Sequence, residues 1–284
     1  MVKILEKECE AGGLRWFYRE AEPINESDKP PVVLLHGLVS QSYSWRGVME
    51  KLAEAGFRAI APDWIGHGYS GKPNKSEFAY TPEAFVKGLD SWLQTMEIER
   101  FSLGVQGFMG SAGLLYAAQN PDNIERLIIL NTPLTAEAKV PFKIAQMGWP
   151  LIGEVLTQDP ILVDRTLEGG GPYEVADEDL EIYRRPFLKS SDVGRSLLAT
   201  IRQLQLPKTL EAINQGFENW STPTLIAWGT ADKWLPTSMG ETFAKKLNDA
   251  TFKKLEETGH YAQEDWSEKV SDAVVPFLRQ SVTT

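Results

Sequence analysis

Up to Leu130, short unbroken apolar runs alternate with amphipathic stretches. Residues 31–35 (PVVLL), 57–61, 101–105 and 124–130 (IERLIIL) are apolar without period-two alternation, as in strands buried on both faces of a parallel sheet. Between them the apolar positions take helical spacing. Trp45, Val48, Met49 and Leu52 share one face behind a capping Ser44; Phe85, Leu89, Trp92 and Leu93 share another behind Thr81. A third helix runs from the end of the 101–105 strand to about Gln119. Ahead of these elements, residues 2–10 and 14–19 flank Gly12-Gly13 and predict a hairpin. Residues 20–29 are polar and predict a surface loop.

The alternation stops at residue 132. As far as residue 221 the pattern is helical, with Pro141, Pro150, Pro160, Pro172 and Pro186 as expected breaks and a glycine turn at 169–171. Strand and helix patterns resume at 224–228, 239–247, 252–255 and 270–278. The pattern predicts an α/β fold with a mostly parallel, doubly wound sheet and an inserted helical cap. Residues 1–131 and 222–284 form the core; residues 132–221 form the cap.

Composition narrows the function classes. A net charge of −10 argues against nucleic acid and anionic membrane surfaces. No run approaches the ~20 apolar residues of a membrane span, so membrane insertion is not expected. Cys9 is the only cysteine, which fits a reducing compartment, and the start of the chain lacks the pattern of a signal peptide. A cytoplasmic location is the expectation. No His, Cys and carboxylate cluster has metal-ligand spacing, and no glycine-rich dinucleotide turn opens a helix after a strand. Neither a metal nor an organic cofactor is expected.

The three histidines fall where a parallel sheet binds ligands, at the carboxyl ends of strands. His36 follows the 31–35 strand, His67 lies in Asp63-Trp64-Ile65-Gly66-His67-Gly68, and His260 lies in Gly259-His260-Tyr261. The segments LLHGLVSQSYSWRGVM, FRAIAPDWIGHGYSGKP, IERLIILNTP, YRRPF, LIAWGTADKWLP and GHYAQED occur in this order. Together they resemble the α/β-hydrolase superfamily, in the branch that holds haloalkane dehalogenases and epoxide hydrolases. The resemblance covers most of the chain and is weakest in the cap. It implies that Asp232 is the catalytic acid and His260 the base, with the acid orienting the ring and fixing its tautomer. It implies an oxyanion hole from the backbone N–H groups of Leu38 and Phe108, with His36 shaping that loop.

The same resemblance puts Gly107 at the nucleophile, within Gly104-Val105-Gln106-Gly107-Phe108-Met109. Glycine has no side chain to attack with, so no covalent ester or acyl intermediate can form there. Met109 also departs from the family's small residue, which favours a natural loss over a single laboratory change. Ser111, one helical turn on, is expected to pack rather than react. Phe108 and Leu38 stand where dehalogenases place halide-binding side chains, and neither side chain donates an N–H. Dehalogenation and covalent epoxide opening are therefore not expected. For the cap tyrosines of epoxide hydrolases this chain offers Tyr173 and Tyr183, both expected in the cap's core or on its surface.

A pocket lined by His36, Trp64, Gln106 and Trp149 is expected to hold a hydrophobic small molecule. Three readings stay open. One is an enzyme working through the His260–Asp232 pair without a covalent nucleophile, by activating water or by lyase or cofactor-free oxygenase chemistry. The second is a non-catalytic ligand-binding protein. The third is an ester hydrolase or dehalogenase-like enzyme inactivated at position 107.

Overall fold

The computed structural model describes residues 2–25 and 27–280. The expected start at residues 1–10 and the loop at 20–29 can be followed except at Met1 and Glu26, which lie outside the described residues. Strands β1 (Ile4–Ala11) and β2 (Leu14–Ala21) form the hairpin. Then come β3 (Val32–Leu35), α1 (Arg46–Glu54), β4 (Ala59–Pro62), α2 (Pro82–Thr95), β5 (Phe101–Gln106), α3 (Gly107–Gln119) and β6 (Ile124–Leu130). The eight-stranded sheet has the order β1-β2-β4-β3-β5-β6-β7-β8, where β7 is Thr224–Gly229 and β8 is Ala250–Leu255. Along the sheet from β4 to β8 each neighbouring pair is parallel, and the antiparallel pairs among the described residues are β1–β2 and β2–β4. This is the α/β-hydrolase fold.

The fully apolar runs end up where that composition requires. Val33 and Leu35 face one core layer and Val32 and Leu34 the other, so successive side chains of β3 are buried on opposite faces. The Thr81 cap is observed: its hydroxyl accepts the Ala84 N–H at 3.2 Å. The Ser44 cap is not. Residues Ser42–Trp45 form a single 3-10 turn before α1, and the Ser44 hydroxyl donates back to the Gln41 carbonyl at 3.0 Å.

Between β6 and β7 the regular structure of the described residues is helical: α4 (Phe142–Gln146), α5 (Ile152–Leu156), α6 (Leu162–Leu167), α7 (Asp177–Lys189), α8 (Asp192–Arg202) and α9 (Leu206–Gly216). The expected break at Pro186 does not occur; it lies inside α7. A helical proline strands the carbonyl four residues back. Here that is Ile182, and Gln41 Nε2 from the core donates to it at 3.0 Å. The same repair recurs in the last helix. Following α10 (Thr237–Ala244) and α11 (Ala262–Asp265), α12 (Ser267–Arg279) contains Pro276. The stranded Asp272 carbonyl accepts a hydrogen bond from Lys253 Nζ at 3.2 Å. No helix among the described residues is long and apolar enough to cross a membrane.

Candidate active site

The site forms where β5 hands over to α3. Gly107 opens the helix with φ +66°, a conformation that side-chain-bearing residues adopt only under strain. A Cβ built on it would lie 3.1 Å from Gly37 Cα and 3.2 Å from His260 Nε2. Position 107 therefore sits between the His36-Gly37 loop after β3 and the His260 ring beyond β8. The chain makes a sharp strand-to-helix turn there.

His260 and Asp232 meet. His260 Nδ1 lies 2.8 Å from Asp232 Oδ2, and both side chains are 1% exposed. Every other contact to that carboxylate is a donor. The Trp234 and Leu235 N–H groups bond Oδ1 at 2.7 and 3.1 Å, and Asn131 Nδ2 bonds Oδ2 at 2.8 Å. The carboxylate thus presents only acceptor sites, which assigns the ring proton to Nδ1 and leaves a lone pair on Nε2. Nε2 has no hydrogen-bond partner among the described residues. Phe108 stacks on the ring with centroids 5.5 Å apart, and Trp234 lies against it at 4.7 Å. The Leu38 and Phe108 N–H groups are unengaged among the described residues.

The glycine turn of the helical insertion covers this pair. His260 N–H and Lys233 N–H both donate to the Gly170 carbonyl, at 3.1 and 3.2 Å. A Cβ on Gly170 would stand 2.8 Å from His260 Cβ. Gly170 thus lies against the backbone and Cβ side of His260.

The other residues expected at the site separate into supports and outliers. Gln106 is buried and donates through Nε2 to the His260 carbonyl at 2.8 Å, holding the histidine from behind. His36 accepts the Trp64 N–H on Nε2 at 3.1 Å, so its proton sits on Nδ1, 2.8 Å from the Gly37 carbonyl. Burial pushes its pKa down, in keeping with a neutral ring. Trp64 is fully buried and donates its indole N–H to the His36 carbonyl at 3.1 Å. Both brace the His-Gly loop. His67 Nε2 lies 3.2 Å from Thr200 Oγ1 and joins core to insertion. Ser111 spends its hydroxyl on the Phe108 carbonyl at 2.7 Å, as a packing residue does. Trp149 is not brought to the site. It is 41% exposed on the outside of the insertion, edge-on to Phe142. An aromatic in a cap has two apolar destinations, inward to the site or outward, and local spacing does not distinguish them. Tyr183 donates to Glu264, and Tyr173 lies against Trp266.

Asn131, Trp234, Gly170 and Asp265 are site residues that the sequence pattern does not single out. Asn131, at φ +38°, also accepts the Gly229 N–H at 2.9 Å and so ties the ends of β6 and β7 together beneath Asp232. Asp265 Oδ2 accepts the Gly259 N–H at 2.7 Å, bracing the histidine's loop. Burial, opposed by that bond and reinforced by Glu264, pushes Asp265 up from 3.8 to about 6. The fold thus binds this proton more tightly than the open chain does, and its contribution to stability is lost as pH rises from 3.8 to about 6. Asp265→Asn keeps an acceptor for Gly259 and carries no charge. Its thermal midpoint should exceed that of the parent at about pH 8 and match it at about pH 4. An equal difference at both pH values in thermal unfolding would contradict this.

Among the described residues no group of three or more His, Cys, Asp or Glu could hold a metal ion. In comparisons with known proteins, a profile for the alpha/beta hydrolase fold matches residues 30–169. A cis-3-alkyl-4-alkyloxetan-2-one decarboxylase of Xanthomonas campestris pv. campestris is 28% identical, covering 95% of this chain and 94% of its own length. A haloalkane dehalogenase of Mycolicibacterium paratuberculosis is 28% identical, covering 93% of this chain and 87% of its own. The crystal structure of a haloalkane dehalogenase from Bradyrhizobium elkani matches with a TM-score of 0.84 at 25% identity, covering 97% of this chain and 98% of that one.

Proposed function

This chain is an α/β-hydrolase-fold protein with haloalkane dehalogenases among its relatives by sequence and structure, and on that premise we propose that it transforms a hydrophobic small molecule by acid–base chemistry at His260, with no covalent nucleophile. The observation that carries the reading is the pairing of two facts. The His260–Asp232 dyad is fully assembled, and its Nε2 lone pair faces a position occupied by glycine at 3.2 Å from a would-be Cβ. A base aimed at an absent nucleophile can act on water or on a substrate C–H.

In the hydrolytic version a water gives its proton to Nε2 while its oxygen adds to a carbonyl carbon. The developing oxyanion faces the Leu38 and Phe108 N–H groups. The imidazolium then returns the proton to the leaving group as that bond breaks. In the lyase version Nε2 takes a proton from the carbon next to a carbonyl group, that electron pair forms a carbon–carbon double bond as a leaving group departs from the neighbouring carbon, and the imidazolium returns the proton to the leaving group. In the oxygenase version the carbanion is oxidised by dioxygen, forming a carbon–oxygen bond to a peroxide that takes the proton back from the imidazolium. The apolar surroundings, Phe108 and Trp234 beside the ring, support an aliphatic or aromatic substrate. The compounds for which the relatives are named, an alkyl-substituted oxetanone and haloalkanes, are consistent with that class.

A second reading, a ligand-binding protein without turnover, draws on the Gly170 cover over His260. Against a simple loss from an ordinary hydrolase stand the 3.1 and 3.2 Å distances, tighter than an ordinary contact for a Cβ. The protein and its Gly107→Ser and Gly107→Asp variants should be assayed together on p-nitrophenyl esters, epoxides and haloalkanes. The parent is expected to turn over at least one class, with no gain in either variant. Each variant should lose ~1–3 kcal/mol of stability from the strained backbone. An inert parent with a reactive Gly107→Ser, showing an acyl-enzyme burst, would establish the inactivated hydrolase instead.

A further inference from the structure

Tyr261, next in the chain to His260, carries a hydroxyl for which the acid–base chemistry has no use. Its ring is buried and stands edge-on to His260, with centroids 5.1 Å apart and planes at 89°. The hydroxyl crosses to the loop after β3 and donates to the Leu38 carbonyl at 2.8 Å. Among the described residues no other donor reaches that carbonyl. Burial, reinforced by the Asp232 and Asp265 carboxylates, raises the phenol's pKa above its usual range, so the hydroxyl keeps its proton.

This bond falls on a strained part of the chain. Val39, the residue after Leu38, is buried with φ 58°. A β-branched side chain is rare in that left-handed region, and such strain persists only where the surroundings hold it. The Leu38 carbonyl belongs to the rigid peptide plane that leads into Val39, so its direction and the φ of Val39 turn together. Flipping that plane would carry Val39 to a φ of about −120°, in the relaxed β region. The same flip would swing the Leu38 carbonyl off the hydroxyl and leave two buried polar groups unpaired. Glycine would take the observed φ unaided, whereas valine needs an outside hold.

We propose that Tyr261 is a positioning residue: its hydroxyl locks the Leu38–Val39 peptide plane and so fixes where the Leu38 N–H stands relative to His260, a role that rests on the reading of Leu38 as an oxyanion donor. Tyr261 is bonded through its backbone to His260 and through its side chain to Leu38. One residue thereby sets the separation between base and donor. Donors aimed in advance at a developing charge stabilise it without reorganising when the reaction occurs.

Tyr261→Phe removes the hydroxyl and keeps the ring, and its effect can be read without a substrate. The NMR carbon shifts and the amide-to-Hα coupling of Val39 report its φ. In the parent they should be left-handed; in Tyr261→Phe part or all of the signal should move to β-region values. On any ester, epoxide or haloalkane that the parent turns over, kcat should fall ~10–100-fold with KM little changed. Adding Val39→Gly to Tyr261→Phe should regain most of that loss, because glycine holds a positive φ without help. A Val39 that stays left-handed in Tyr261→Phe would overturn the proposal, whatever the kcat. So would a Val39 that moves with kcat unchanged, or a double variant that regains nothing while Val39→Gly alone is fully active. An inert parent would defeat the acid–base reading by itself; the Val39 signals would still decide whether the hydroxyl locks the loop.

Discussion

Replacing His260 with alanine, or with glutamine, should lower turnover of whatever substrate the protein processes by ~10²–10⁴-fold, about 3–5.5 kcal/mol of transition-state stabilisation. On the proposed reading Nε2 is the base; it faces position 107, and the ring's tautomer follows from the Asp232 bond at 2.8 Å. Alanine also empties a ring-sized space between Phe108 and Trp234, so the glutamine variant separates chemistry from packing. Glutamine fills much of that space and can donate to Asp232, but it cannot accept a proton. Loss of kcat in both variants with KM little changed is the expected pattern, because the base acts on the transition state rather than on binding. If glutamine kept the parent's kcat, the histidine would have no proton to move and the acid–base reading would fall. A parent that binds alkyl ligands and turns over none would also overturn it, and would leave the ligand-binding reading in its place.

Sequence patterns reach some of these residues and not others for physical reasons. Strands β3, β5 and β6 are legible because burial on both faces leaves one composition available, and their order follows from alternation with helices. That Gly107, Asp232 and His260 lie near one another is legible because each follows the carboxyl end of a parallel strand within a short motif. Asn131 also closes a strand, within IERLIILNTP, yet its partner Asp232 lies 101 residues further on and nothing local links the two. Pro186 misleads because the rule for helical proline counts only the helix's own donors. The Gln41 donor comes from 141 residues away. The glycines at 169–171 read as a turn. Their function as a place where backbone lies against His260 appears only once the insertion folds back over the sheet.

That fold-back has a fastening, and breaking it carries the largest stability effect expected here. Arg46, the first residue of α1, bonds both carboxylate oxygens of Glu264 at 2.8 Å each and reaches Asp179 of α7 at 2.7 Å. Tyr43 donates to the other Asp179 oxygen at 2.7 Å, and Tyr183 of α7 donates to Glu264. One guanidinium thus joins the core, the insertion and the helix four residues beyond His260. Burial disfavours its charge, but the Glu264 bonds and charge outweigh that and raise its pKa. Glu264 is the vulnerable partner, because its side chain is 4% exposed. Arg46→Ala leaves that carboxylate buried without its counter-charge, which typically costs ~3–5 kcal/mol. Urea unfolding should register a loss of that size. Arg46→Met combined with Glu264→Gln should recover most of it, because the double change removes both charges together and keeps the stem packing. The coupling between the two sites is then the measured quantity. A loss below ~1 kcal/mol in Arg46→Ala would place the cluster with surface ion pairs and remove it as the fastening of the insertion.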